Sequence, residues 1–243
     1  MIKDGWNRDL HIRWAKFIIA ENKIVVTERN QHLVCIDPNN GDKIWDKRMK
    51  SAYGWLAYLG SHVYYLEQDG ELKIIALSTG EIVNVHQFEY PYLGYIIPFE
   101  NSLITGSWRG YSDLTCYKLG SELSTLWKRD TRSKELRSYS IPRVFKNHLL
   151  FADNSIGRLT KIDLLNGLDL WGINLPDGVG SLDLDYTFQI DDDKIVVYSK
   201  NGEIYTYAEG DMNWAKCVDH AKEISTIKPK VLKTQYFCLL YTS

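Results

Sequence analysis

The sequence predicts an all-β fold: a β-propeller of four-stranded antiparallel blades, about five complete and one partial, in a ring left incomplete. Three observations carry that expectation. Turn glycines recur at Gly41, Gly80, Gly120, Gly167 and Gly210, spaced 39, 40, 47 and 43 residues apart. Around each of them short apolar stretches alternate with polar turns, and no segment has the periodicity of a helix. In three of these units a Trp stands four residues after the Gly: Trp45, Trp171 and Trp214.

The elements follow in order. The first unit, about 14–48, has strands at Trp14–Ala20, Lys23–Thr27, His32–Ile36 and Lys43–Lys47. The second, 54–87, has Leu56–Leu59, His62–Leu66, Leu72–Ala76 and Ile82–Val85. In the third, 93–130, come Tyr95–Phe99, Ser102–Thr105, Asp113–Tyr117 and Ser124–Trp127. The fourth, 141–175, has a strand about Val144, then His148–Phe151, Leu159–Ile162 and Leu168–Trp171. The fifth, 185–217, has Thr187–Ile190, Lys194–Tyr198, Glu203–Tyr207 and Asn213–Lys216. A partial sixth, 226–243, shows Thr226–Lys230 and Gln235–Tyr241, and Lys3–Leu10 reads as the closing strand of a further unit. Residues 1–243 are thus expected to form a single propeller domain.

Turn chemistry explains the grammar of the repeat. The Gly tolerates a positive φ that a side chain resists. An Asp four residues earlier, Asp37 or Asp163, can accept hydrogen bonds from the turn's own amides. The Trp is large enough to reach the neighbouring blade. Asp37, Gly41, Trp45, Asp163, Gly167, Trp171, Gly210 and Trp214 are therefore expected to be structural. Two units depart from the pattern. Ala76 and Asn84 take the Asp and Trp places in the second; in the third, Cys116 takes the Asp place and Trp127 lies seven residues past the Gly.

This Asp-x3-Gly-x3-Trp pattern resembles the tryptophan-docking repeat of the pyrroloquinoline-quinone (PQQ)-like propellers. The resemblance covers nearly the whole chain and points in particular to the propeller lipoprotein of outer-membrane protein assembly. No lipid-attachment sequence lies among these residues. It implies a propeller fold and leaves function to the sites. Quinoprotein dehydrogenases are the enzymes of the wider family, and a resemblance to them would imply calcium, bound quinone, a carboxylate base and adjacent cysteines. The four cysteines, Cys35, Cys116, Cys217 and Cys238, are scattered, and no carboxylate can be matched to the base. The expectation is no cofactor and no metal.

The last six residues, Cys238–Ser243, match the translation of a transposon-type sequencing adapter. Together with the incomplete sixth unit, this predicts a chain truncated from a longer protein.

Composition narrows the classes of function. Charge is nearly balanced, with 29 basic and 31 acidic residues and no basic block, which argues against a nucleic-acid groove. Asp191–Asp193 reads as a hairpin turn between two apolar strands. No apolar run approaches the ~20 residues of a membrane span, and Met1–Trp6 lack the layout of a secretory signal, which leaves the compartment open. The six histidines never fall at ligand spacing, no Gly-x-Ser-x-Gly elbow occurs, and no catalytic residue is proposed. Cys35 and Cys116 lie inside strands and read as core thiols.

The aromatic surplus, 13% of the chain, is the functional hint. Tyr90, Tyr92, Trp108, Arg109 and Tyr111 are the residue types that anchor protein interfaces. They form a candidate surface for a protein or peptide partner, although aromatics of this stretch could equally pack between the second and third blades. The expected function is a non-enzymatic interaction scaffold. A fragment of a quinone-dependent oxidoreductase is the alternative.

Overall fold

Sharp, left-handed turns make the hairpins. Glu21 and Asn22 both take positive φ (46° and 56°), as do Gly60 and Ser61 (53° and 66°), so each pair reverses the chain in two residues. The computed structural model describes residues 17–28, 30–51, 54–89, 94–106, 114–129, 142–153, 158–174, 188–191, 194–198, 204–208 and 215–216.

Those residues form five antiparallel sheets of four strands, each in chain order. The first contains β1 (Phe17–Ala20), β2 (Lys23–Glu28), β3 (His32–Ile36) and β4 (Lys43–Arg48). The second contains β5 (Trp55–Leu59), β6 (His62–Leu66), β7 (Glu71–Ala76) and β8 (Ile82–Gln87). The third is built from β9 (Tyr95–Phe99), β10 (Ser102–Gly106), β11 (Leu114–Lys118) and β12 (Ser124–Arg129). The fourth has β13 (Arg143–Phe145), β14 (His148–Asp153), β15 (Arg158–Asp163) and β16 (Asp169–Asn174). The fifth has β17 (Phe188–Asp191), β18 (Lys194–Tyr198), β19 (Ile204–Ala208) and β20 (Ala215–Lys216). This is the all-β propeller architecture that the repeat predicts. Strand ends differ from expectation by a residue or two, as at β2, which runs to Glu28 rather than Thr27. The partial sixth unit lies outside the described residues.

Two compact units divide the chain. Among the described residues, the first holds 17–106 and 117–124, and the second holds 114–116 and 125–216, so the division passes through the third sheet.

Within the first unit, the period of two in each strand feeds two different cores. Ile18, Val25, Leu33 and Cys35 of the first sheet pack with Leu56, Val63, Tyr65 and Ile75 of the second. The alternate residues of the second sheet, Ala57, Tyr64, Leu66, Leu72 and Ile74, pack with Ile96 and Leu103. Both faces of the second sheet are therefore covered, and its inner strands read as near-continuous apolar runs. His62-Val-Tyr-Tyr-Leu66 is buried at four of its five positions. Burial of this kind is worth roughly 25 cal/mol per Å² of apolar surface.

Tyr65 also fixes the crossing from the first sheet to the second. Its hydroxyl donates to Ser51 O and accepts from Gly54 N–H (3.2 Å). A Cβ on Gly54 would lie 2.1 Å from that ring, so only glycine permits the approach. Gly106 meets the Tyr95 hydroxyl in the same manner, at 2.4 Å from an added Cβ.

Candidate functional site

The structure spends its most specific chemistry on the turn between the third and fourth strands of a sheet. In the first sheet Gly41 N–H donates to Asp37 O (2.8 Å) and Asp37 N–H to Asp42 O (2.9 Å). The second and fourth sheets repeat both bonds, with Ala76, Gly80 and Glu81, and with Asp163, Gly167 and Leu168. All three glycines take positive φ, from 71° to 78°. Asp37 Oδ1 accepts Asn39 N–H at 2.8 Å, and Asp163 Oδ1 accepts Leu165 N–H at 2.9 Å. Ala76 can do neither. Its turn keeps its shape through the backbone bonds and Thr79 Oγ1, which accepts Glu81 N–H at 3.2 Å.

A bulge aims the indole. Register shifts between Cys35 and Ile36, between Ile74 and Ile75, and between Lys161 and Ile162, always one step before the Trp place. A bulge twists the strand and re-aims the next side chain. It turns out the extra residue, and Ile44, Val83 and Leu170 are all exposed. Past the bulge, Trp45 stands opposite Cys35, Asn84 opposite Ile74 and Trp171 opposite Lys161.

The Trp45 indole N–H donates to Leu77 O of the second sheet's turn at 2.7 Å. The ring covers Gly80, where an added Cβ would lie 2.7 Å from it. Trp127 does the same in the second unit, donating to Leu164 O at 2.7 Å and covering Gly167. Both indoles are buried, at 7% exposure. Sequence counting had set Trp127 apart because it counted from Gly120. Hydrogen bonds give a better alignment: Leu119 N–H donates to Asn101 O as Leu77 N–H donates to Ser61 O. Lys118 thus takes the place of Ala76, and Cys116, assigned the Asp place from spacing, is a buried strand residue. Trp127 follows Lys118 by nine residues, where Trp45 follows Asp37 by eight, so this turn is longer by one.

The join between the second and third sheets uses other groups. Asn84 Nδ2 donates to Ser121 O at 3.2 Å, a polar contact where an indole stands elsewhere. Inward of it, His86, Phe88 and Tyr117 form a ring cluster, with centroids 4.9 Å apart for His86–Phe88 and 5.0 Å for Phe88–Tyr117. Burial lowers the His86 pKa from its ordinary value. Trp55 meets Tyr95 edge-on at 6.3 Å. The described aromatics of this stretch therefore pack between sheets.

Charged groups also serve the frame. Glu67 is 1% exposed; its Oε1 accepts from Lys73 Nζ (2.6 Å) and Lys50 N–H (2.9 Å), and its Oε2 from Ser51 N–H (3.0 Å). Lys50 Nζ binds Glu71 (2.7 Å) and Asp69 (3.1 Å). Lys50 foremost, with Lys73, holds Glu71 below the ordinary carboxylate pKa. Asp46 is also held low: burial works against its charge, but hydrogen bonds from Lys43 and His32 overcome it. Burial pushes the Cys35 thiol up to about 11. Among the described residues, no three or more His, Cys, Asp or Glu converge as metal ligands, and no helix is long and apolar enough to cross a membrane.

Tyr90, Tyr92, Trp108, Arg109 and Tyr111, the candidate partner surface, lie outside the described residues, as do Gly210 and Trp214. Trp171 is on β16, with only its backbone described.

An indole thus docks the first sheet on the second and the third on the fourth, and comparison with known proteins gives this arrangement a family. A family profile described as outer membrane protein assembly factor BamB matches residues 4–236. The chain belongs to the BamB family of PQQ-repeat propellers. No curated protein matches it in sequence. Among solved structures it is similar to BamB from Moraxella catarrhalis, with TM-score 0.55 and 15% identity over 83% of this chain and 60% of that one. It is also similar to the β-propeller domain of Cps50 (Swd1) from Myceliophteria thermophila, with TM-score 0.61 and 14% identity over 83% and 67%. The designed protein Ika8 gives TM-score 0.62 and 16% identity over 79% and 57%. At these identities the likeness concerns fold. The chain spans 57–67% of the length of these three structures.

Proposed function

We propose that this BamB-family propeller is a non-enzymatic scaffold that holds a protein partner during outer-membrane protein assembly. The family match over residues 4–236 carries the reading. The chemistry of the described residues agrees with it: the buried Glu67–Lys73 pair, the indole N–H groups and the turn carboxylates all act on the protein's own backbone or frame. Docking is assigned to Tyr90, Tyr92, Trp108, Arg109 and Tyr111, because Tyr, Trp and Arg are the residues enriched among those that carry binding energy at interfaces.

The test uses the immobilised chain, offered first an unfolded outer-membrane β-barrel protein and then the soluble part of an outer-membrane assembly complex. One of the two should bind saturably, and the double variant Trp108→Ala/Arg109→Ala should weaken that binding about tenfold or more at an unchanged unfolding midpoint. Binding of neither would remove the scaffold reading, as would dye-linked turnover on adding quinone and calcium. Unchanged binding by the double variant would remove this patch alone.

A further inference from the structure

The dipeptide Asn-Gly, whose side-chain amide is readily lost, stands at the same place in two of the third-to-fourth-strand turns. It is Asn40-Gly41 in the first sheet and Asn166-Gly167 in the fourth. Loss begins when the glycine's backbone nitrogen attacks Cγ of the asparagine. That nitrogen gives up its proton, the new C–N bond closes a succinimide ring, and ammonia leaves. Water then opens the ring at either carbonyl, giving aspartate or isoaspartate, whose main chain is longer by one carbon. Glycine has no side chain to hinder the attack, so the backbone decides whether the two atoms can meet.

Both turns engage the groups that the reaction needs. Gly41 N–H donates to Asp37 O and Gly167 N–H to Asp163 O, each at 2.8 Å. Asn40 Oδ1 accepts Asp42 N–H at 2.9 Å, and its Nδ2 donates to Asp42 Oδ2 at 2.8 Å. Asn166 Oδ1 accepts Leu168 N–H, and its Nδ2 donates to Asp163 Oδ2, both at 2.8 Å. Both asparagines are exposed, so water reaches them. In the second sheet the same place is Thr79, whose Oγ1 accepts Glu81 N–H at 3.2 Å. A hydroxyl thus does there what the asparagine oxygen does, with no side-chain amide to lose.

We propose that Asn40 and Asn166 are deamidation sites kept intact by their turns, and that deamidation makes the opening of these turns irreversible. Neither product fits the turn it came from. Aspartate at 40 would face Asp42 Oδ2, and aspartate at 166 would face Asp163 Oδ2, like charges in place of a hydrogen bond. Isoaspartate would lengthen the chain inside the closing bonds, Asp37 N–H to Asp42 O (2.9 Å) and Asp163 N–H to Leu168 O (3.0 Å). The reaction runs in the opened turn and keeps it from closing.

The test follows each site by peptide mass and isoaspartate content at about pH 8, in buffer and in urea. Conversion in buffer should be at least about tenfold slower than in urea at both sites. Equal rates in the two, or amides that stay intact in urea, would overturn the proposal. Asp163→Asn keeps an acceptor for Leu165 N–H and removes the carboxylate oxygen that holds Asn166 Nδ2. Conversion in buffer should then rise about threefold at Asn166 alone, with Asn40 as the internal reference. A rise at both sites, or at neither, would mean that the turn's own bonds are not the restraint, and the proposal would fall. The double variant Asn40→Thr/Asn166→Thr should keep the urea midpoint and abolish conversion, whereas Asn40→Asp/Asn166→Asp should lower the midpoint. Equal midpoints for these two would show that the product fits its turn, and would refute the irreversibility.

Discussion

At the residue scale, one indole does two things at once: it buries its ring and satisfies a turn carbonyl. Trp45→Ala and Trp127→Ala should each destabilise the protein by about 3–5 kcal/mol, read from urea midpoints. Trp45→Phe should cost less, because only the hydrogen bond to Leu77 O and part of the ring go. The glycines of these turns divide into two classes. Gly80→Ala meets both a φ of 71° and the Trp45 ring, and should cost at least about 1–3 kcal/mol; Gly120→Ala should be nearly neutral. Equal effects at the two positions would contradict the structure. Cys35, buried with its thiol pushed up to about 11, should resist a disulfide reagent at pH 8 until the protein unfolds.

At the element scale, the joins between sheets are not alike. Indole docking joins the first sheet to the second, whereas an amide and a ring cluster join the second to the third. The second kind is sensitive to pH. His86 has a folded pKa lowered from 6.5 by burial, so its contribution is whole above 6.5 and is lost as pH falls through the folded value. Unfolding midpoints should decline below pH 6.5, and His86→Phe should flatten the decline. Glu71 and Asp46, both held low, add a loss of stability at more acid pH, below 4.5 and 3.8 respectively. The connection into the second sheet depends on Glu67. Glu67→Ala would take the carboxylate from two backbone amides and leave the Lys73 ammonium with Glu71 alone, at a cost of about 1–3 kcal/mol. Pairing it with Lys73→Met should recover much of that loss; no recovery would mean that the amides alone need the carboxylate.

At the scale of the whole molecule, the family match and the five four-stranded sheets agree on a propeller. An indole is the part used between the first and second sheets and between the third and fourth, and an amide takes its place between the second and third. Strand succession and blade grammar were legible in the sequence because period-two apolar runs and turn residues are local signals. The bounds of His32–Ile36, His62–Leu66 and Tyr95–Phe99 agree to the residue. The third unit was misaligned because Gly120 is a glycine without the left-handed turn that spacing assigned to it. Only hydrogen bonding across strands shows that Lys118, and not Cys116, begins that turn. The sequence by itself determined the repeat, the propeller fold and the family. Tertiary structure alone decided which turn an indole covers, since that depends on a side chain 32 or 37 residues away, aimed in the first sheet by a bulge and its register.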